Sequence, residues 1–375
     1  MSAISSPISI VPAAEPERLS IDEALARISS RAKELDAAPR LPRENLEELR
    51  AAGLLQLPAD RARMTLCKEI ALVRAVASAD ASTARIFDGH LNGAERLALD
   101  APAGLREAEL ARIAAGKLLL GVWGADPAPG EGEPAQVVRG QRGSLALRGV
   151  KTFCSGAGGV QRALVVVREG SGSDSTVPGG RRVAYVDTSE GVEIDRGWYR
   201  ASGLRSSESH RVEFVDTPVL ALLGGENELA RQPFFARDGV RTAATWAGIA
   251  DGIFAAAADT LGEREPDAHQ LSALGRMRVA RETIDRWLEH AGVLLEDEKV
   301  ADPAALATAC RAAIIAASGT IADEAAQACG SRSLIGGGDL DRGRRDLDLF
   351  VLQHRLDPQL AKLGRSTLDA ASGPR

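Results

Sequence analysis

The stretch Leu147-Arg-Gly-Val-Lys-Thr-Phe-Cys-Ser-Gly-Ala-Gly-Gly-Val-Gln-Arg-Ala-Leu-Val-Val-Val-Arg168 decides how this chain is read. Two runs of strand character flank a turn of small residues. The first runs from Ser144 to Phe153. The second, Ala163 to Val167, is continuously apolar and reads as a buried strand. Between them lie Cys154, Ser155, Gly156, Ala157, Gly158 and Gly159. Small residues let a backbone come close to a flat ligand, and glycine tolerates dihedrals that other residues avoid. Ser155 adds one hydroxyl that can donate or accept. On local pattern alone the stretch is a β-hairpin with a loose turn.

Toward the N-terminus the pattern is helical. Residues 1–18 are rich in Ser, Pro and Ala and read as a loose tail. Ser20-Ile-Asp-Glu opens a helix with a Ser N-cap and an acidic first turn, running to about Asp36. A second helix begins at Pro42 and ends at Gly53. Further helices are expected over 65–78, from Asp80 to His90 and over 101–116. From Leu118 the pattern changes to short strands and turns, ending with His210–Phe214. After Gly224 and Gly225 it turns helical again. Three long Ala-rich segments, 233–261, 270–295 and 303–328, precede a last helix from about Arg342 to Leu363. The expected organisation is a helical domain over 1–116, a β domain over 117–222 and a helical bundle over 223–375.

Composition narrows the function classes. At 375 residues the chain can bury a large core. A formal net charge of −6 leaves no basic excess to neutralise phosphates, which argues against a nucleic-acid partner. No stretch approaches the roughly 20 apolar residues of a membrane span, and no secretory signal is visible. Cys67, Cys154, Cys310 and Cys329 show no metal-binding spacing and read as free thiols in a reducing cytoplasm.

Lys151-Thr-Phe-Cys-Ser-Gly-Ala resembles the flavin-facing strand and turn of the acyl-CoA dehydrogenase superfamily. The wording Phe-Cys-Ser-Gly-Ala is closer still to its flavin-dependent monooxygenase branch, the dibenzothiophene monooxygenase-like enzymes. The likeness covers nearly the whole chain. It implies an α+β fold: an N-terminal α domain, a middle antiparallel β domain and a C-terminal four-helix bundle that also builds a homo-tetramer or dimer. It implies that Phe153 packs on a flavin, with Cys154 beside it, and that the Ser155 hydroxyl reaches N5 of the ring. Ala125-Asp126-Pro127 stands where the dehydrogenases usually have Thr-Glu-Pro, so only backbone donors of Ala125 would serve there. Trp123 lines that loop or fills the core. Trp198 and Ser206 fall near where flavin contacts arise in the family.

The same resemblance carries the remaining site residues. Gln327-Ala-Cys-Gly-Ser-Arg corresponds to a Gln-x-x-Gly-Gly loop, so Gly330, Ser331 and Arg332 are candidates to bind a flavin phosphate; the plain reading of Gly330 is a helix-ending glycine. The dehydrogenases place Arg-x-x-Phe-Gly between the first two bundle helices, to hold the adenine end of FAD. Here the stretch Gly262-Glu-Arg-Glu-Pro-Asp-Ala-His-Gln lacks it, which favours FMN, with FAD as the alternative. Many dehydrogenases carry a catalytic Glu nine residues after an Arg; counting from Arg345 reaches His354, with Asp357 able to orient it. Histidine at that place is what the monooxygenase branch has, and it suits proton handling near neutral pH. His90 matches a second histidine of that branch, facing the flavin cavity; without the family it reads as a surface or capping residue. The implied activity is a two-component monooxygenase that uses reduced flavin from a separate reductase and O₂ on a small organic substrate. The alternative is an FAD-dependent acyl-CoA or acyl-carrier dehydrogenase, with Asp238 on the first bundle helix as base.

Overall fold

The computed structural model describes residues 19–60, 64–139, 144–168, 180–296, 300–353 and 355–371. Five helices come first: α1 (Ile21–Ala37), α2 (Arg43–Ala51), α3 (Leu66–Ala79), α4 (Ala81–Asp100) and α5 (Ala103–Ala114). Their starts follow from short polar side chains. Ser20 caps α1 in a reciprocal capping box with Glu23, and Thr65 caps α3 through the Lys68 N–H. Asp80 caps α4 through the Thr83 N–H at 2.7 Å. α4 is longer than expected and carries the chain through His90 to Asp100 without a break.

Seven strands follow: β1 (Leu120–Trp123), β2 (Gln136–Arg139), β3 (Leu145–Cys154), β4 (Arg162–Arg168), β5 (Arg181–Asp187), β6 (Val192–Asp195) and β7 (His210–Leu223). They form one sheet in the order β1-β4-β2-β3-β7-β5, with β6 on β7 and a β4–β5 pairing that closes the sheet on itself. The sheet is mixed, not purely antiparallel as expected, because β1 and β4 pair in parallel and β2 touches β4 in parallel. The β2–β3 hairpin supplies the crossover that parallel neighbours need. β7 also runs nine residues beyond the expected end at Phe214. Between Phe214 and Thr217 it carries a bulge, with Asp216 in the left-handed region at φ 54°, and so continues past Pro218.

Five helices complete the fold: α6 (Phe234–Gly262), α7 (Ala268–Glu296), α8 (Pro303–Cys329), α9 (Asp339–Leu352) and α10 (Asp357–Ala371). The single last helix expected over 342–363 is therefore two, and α10 restarts with Pro358 in its first turn. α8 is long and apolar enough to cross a membrane by length and composition, contrary to expectation, yet it packs Cys310, Ile314 and Ile321 into the core against α6 and α7. Small residues let these helices close up. A Cβ on Gly248 of α6 would meet the Arg74 carbonyl of α3 at 2.1 Å. The main core runs from Ile28 through Trp123, Val212 and Trp246 to Phe350, shared by helices and sheet, and a second cluster packs α4 and α5 on β1, β4 and β5 around Leu97, Leu120, Leu164 and Tyr185.

Candidate functional site

The site is built around an irregularity at the end of β3. In its ladder with β7, Lys151 pairs with Val212 but Cys154 pairs with His210, so β3 carries one extra residue. A bulge of this kind bends the strand and re-aims a side chain. Phe153 takes the left-handed conformation at φ 52°, and its ring turns outward between the buried Thr152 and Cys154. A phenyl-bearing residue pays for φ > 0, on the order of 1–2 kcal/mol. Phe153 is 42% exposed, and its ring meets Trp198 edge to face at 5.0 Å and 80°. Trp198 is fixed from behind, since its Nε1–H donates to Glu131 Oε1 at 3.1 Å. Ala125 lies beside this platform, its carbonyl accepting from the Thr152 N–H at 3.1 Å. The loop that carries it is pinned by Lys151, whose Nζ reaches Asp126 at 2.6 Å and the Gly124 carbonyl.

The turn after Phe153 is clipped to the segment before β7. Gly156, at φ 75°, donates to the Ser207 carbonyl, and Ala157 donates to that of Glu208. Ser155 Oγ lies 2.8 Å from Ser209 Oγ, which lies 2.7 Å from Ser207 Oγ. The Tyr199 hydroxyl stands against Ser207 and Ser209 and donates to the Gly203 carbonyl at 3.4 Å. Among the described residues, five non-glycine residues have positive φ, and three of them, Phe153, Leu204 and Glu208, belong to this assembly. Strain of that kind collects at functional sites.

The segment 203–209 also ties the sheet to both helical parts. Ser206 Oγ donates to the Leu35 carbonyl, and the Leu204 N–H donates to Asp346 Oδ1 at 2.5 Å. A Cβ on Gly203 would strike the Arg345 carbonyl at 2.2 Å, so only glycine lets α9 come this close. Asp346 is buried; desolvation, aided by nearby Asp80, pushes its carboxyl up to about 7, against the pull of the Leu204 N–H.

Each residue singled out in the sequence can now be located. Phe153, Ala125 and Ser155 come together. Ser155 is only 8% exposed and its hydroxyl is engaged by Ser209, so reaching a ligand requires its second hydrogen-bonding direction. Trp123 is 1% exposed; it fills the core and holds the turn by donating from Nε1 to the Ser155 carbonyl, so it supports the platform from behind. Cys154 is likewise buried behind the turn, its thiol pushed well above the usual range by burial.

His90 sits inside the helical part. It is wholly buried, its Nε2 donates to the Leu55 carbonyl at 2.9 Å, and its Nδ1 accepts from the Leu120 N–H at 3.2 Å. Both nitrogens are spent on backbone, and burial lowers its pKa to about 4. Asp238 is held by two guanidinium groups, with Oδ2 2.8 Å from Arg96 and Oδ1 3.1 Å from Arg241. Burial pushes its carboxyl up to about 6 despite those partners. Arg241 in turn binds Glu69 and Glu95, all buried, so Asp238 belongs to an ion network joining α3, α4 and α6 rather than to an open base position. Gly330, Ser331 and Arg332 lie on an exposed turn after α8, with Gly330 at φ 77° capping the helix and accepting from Ser333. Their hydrogen bonds stay within that turn and α8. His354 lies outside the described residues. Sequence reading did not single out Glu131, Tyr199, Ser207, Glu208, Ser209 or His210, which are brought beside the turn only by the pairing of 207–210 with the end of β3 and by the Glu131–Trp198 bond.

The Phe153 ring stands outward on an otherwise polar rim, backed by Trp198, with hydroxyls and loop backbone at its edge.

No protein-family model matches the sequence, and no curated protein matches it. Solved structures do. Dibenzothiophene monooxygenase from Paenibacillus sp. A11-2, in complex with FMN and indole, superposes with a TM-score of 0.78 at 18% identity, over 93% of this chain and 96% of that one. Methanesulfinate monooxygenase from Pseudomonas fluorescens gives 0.80 at 23% identity, over 93% and 96%. Nitrososynthase from Micromonospora carbonacea var. africana gives 0.79 at 20% identity, over 94% and 95%. The chain therefore has the acyl-CoA dehydrogenase-like α+β fold.

Proposed function

We propose that this protein is a flavin-dependent oxidoreductase of the monooxygenase type, taking reduced FMN from a separate reductase and acting with O₂ on a small organic substrate. One observation carries the reading: the strained bulge that turns Phe153 outward onto Trp198, at the Phe-Cys-Ser-Gly-Ala turn. Backbone strain collects at ligand clamps, and the cost spent on holding this ring outward supports a flat ligand against it. The fold's neighbours include proteins solved with FMN. The lack of an Arg-x-x-Phe-Gly stretch between α6 and α7 favours FMN over FAD.

Bound there, the flavin would supply electron transfer and the activation of dioxygen. The chain's own residues have simpler tasks. Phe153 and Trp198 give the ring a face. Lys151, paired with Asp126, keeps the Ala125 backbone at its edge. Ser155 turns its free hydrogen-bonding direction to the ring while Ser209 holds its oxygen in place. By resemblance His354 is the proton-handling residue on the substrate side, and Gly330, Ser331 and Arg332 meet a flavin phosphate. The exposed Leu271, Val279 and Val293 along α7 support packing between copies. A cytoplasmic location agrees with the free thiols. Acyl-CoA dehydrogenation is the weaker reading, because the carboxylate of Asp238 is spent on Arg96 and Arg241.

Titrating the apoprotein with FMN and with FAD, then following NADH-dependent oxygen uptake with an added flavin reductase, tests the proposal. Expected are FMN binding at least tenfold tighter than FAD, about 1.4 kcal/mol, and oxygen uptake that requires the protein. Failure to bind either flavin overturns it. Anaerobic bleaching of bound flavin by acyl-CoA would transfer the protein to the dehydrogenase reaction.

A further inference from the structure

One buried group at the site has no partner. His210, the first residue of β7, is 5% exposed, and its Nδ1 has no hydrogen-bond partner among the described residues. Buried polar atoms are paired in the great majority of cases, and an orphan costs roughly 1–3 kcal/mol. The other nitrogen is not orphaned. Nε2 lies 3.2 Å from Glu208 Oε2, and Arg196 Nη1 donates to that same oxygen at 2.7 Å. Glu208 reaches this position only by adopting φ 49°, a second local cost in the same place. Tyr199 stands edge-on to the imidazole at 6.3 Å and 89°. Cys154 faces His210 directly across the ladder, and the neighbouring Ser209 carries the hydroxyl that holds Ser155.

This is the arrangement of an oriented imidazole. A carboxylate beside Nε2 keeps the proton there, which leaves the Nδ1 lone pair as an acceptor. We infer that His210, oriented by Glu208 and Arg196, is a substrate-binding residue whose Nδ1 accepts a hydrogen bond from an N–H or O–H group of a small neutral ligand. The inference rests on the flavin-site reading above, and it narrows the substrate class to molecules that carry such a donor. Specificity follows from the orphan itself: a site built to receive a hydrogen bond rejects an analogue that lacks the donor far more strongly than a purely apolar pocket can. The rival explanation is an internal water that satisfies Nδ1 permanently.

The test uses the full chain with ¹⁵N-labelled histidine. The sequence has five histidines, so each ring can be resolved and His210 assigned by its loss in His210→Asn. Without ligand the expected result is a proton on Nε2 and a bare Nδ1. A proton on Nδ1, or an Nδ1 resonance marking a permanent bond, overturns the inference. Glu208→Gln should mix the two tautomers; an unchanged tautomer refutes the orienting role. With FMN at saturation, indole or phenol should move the Nδ1 resonance, while 1-methylindole and anisole should not. If neither donor moves it in protein that binds FMN, His210 is structural and the inference fails. If FMN itself does not bind, the flavin reading falls, while the ligand-free tautomer and its response to Glu208→Gln still judge the oriented imidazole.

Discussion

Replacing His90 separates a chemical role from an architectural one. The imidazole bridges the Leu55 carbonyl and the Leu120 N–H, so it joins the end of the second helical segment to the first strand of the sheet. His90→Ala leaves two buried backbone groups without partners. At roughly 1–3 kcal/mol each, the loss is about 2–6 kcal/mol of stability. His90→Gln can span the same gap, with its amide N–H₂ toward Leu55 and its amide oxygen toward Leu120, and should recover much of it. The pH dependence is a second signature. Burial lowers the folded pKa to about 4 from 6.5, so the unfolded chain takes up a proton first as pH falls. The stabilisation is complete above about 6.5 and is lost as pH falls toward 4, a change of about 3 kcal/mol. His90→Gln should flatten that part of the profile. Urea denaturation of the three proteins between pH 4 and 8, with oxygen uptake on the same samples, reads both effects. A His90→Ala variant as stable as the parent but slower by ~10²–10⁴-fold would refute the architectural reading and return His90 to the chemistry.

Four further outcomes are expected. Phe153→Gly removes the strain at φ 52° and the aromatic face together, so the fold should gain up to about 1 kcal/mol in urea while FMN affinity falls; equal affinity would detach Phe153 from the flavin. Ser155→Val should weaken FMN binding or turnover and leave the far-ultraviolet circular dichroism unchanged, since the hydroxyl bonded to Ser209 is lost and the added bulk sits in a turn, outside any helix. Arg241→Leu removes the buried cation that Glu69, Glu95 and Asp238 share and should cost about 3–5 kcal/mol, read as an earlier urea midpoint. Asp346, with a folded pKa near 7 against an ordinary 3.8, binds its proton more tightly when folded, so stability should decline as pH rises from about 4 to 7. Asp346→Asn keeps an acceptor for the Leu204 N–H and should abolish that decline.

Much of the architecture was legible because its signals are local. Ser20 and Glu23 cap α1 within one turn of each other, and Thr65 and Asp80 do the same for their helices. The apolar run Ala163–Val167 reads as a buried strand without reference to anything else, and β4 is buried through its whole middle. The turn at Ser155 was found the same way, through residue types within a single decapeptide. What escaped was set by pairing between distant segments. Nothing near Phe214 announces that β7 continues to Leu223; that depends on a bulge opposite Leu147 and Gly149. The parallel β1–β4 pair depends on how the β2–β3 hairpin folds over, which no periodicity encodes.

His90 and His210 show the same principle at the level of single side chains. Both are histidines, and residue type alone suggested a role in proton chemistry only for the one that matched a family pattern. What separates them is the account of their nitrogens. His90 has two backbone partners, 35 residues behind it and 30 ahead, and nothing left to offer a ligand. His210 has a carboxylate two residues away on one nitrogen and no partner on the other. Its local sequence, Ser-Ser-Glu-Ser-His, looks like a polar loop, and polar loops are common. Only the fold turns it inward: Ser209 reaches across 54 residues to Ser155, Ser206 across 171 to Leu35, and Leu204 across 142 to Asp346. Those bonds bury the loop and force Leu204 and Glu208 into left-handed conformations, and the imidazole at its end is thereby buried with one nitrogen bare. A substitution that frees the loop, such as Ser206→Ala with its loss of the Leu35 bond, should therefore blur the His210 tautomer before it unfolds the sheet. That order of events, tautomer first and strand second, would be followed in the same ¹⁵N spectra as urea is raised. The reverse order would mean that β7 holds His210 in place by itself and that the strained loop serves some other end.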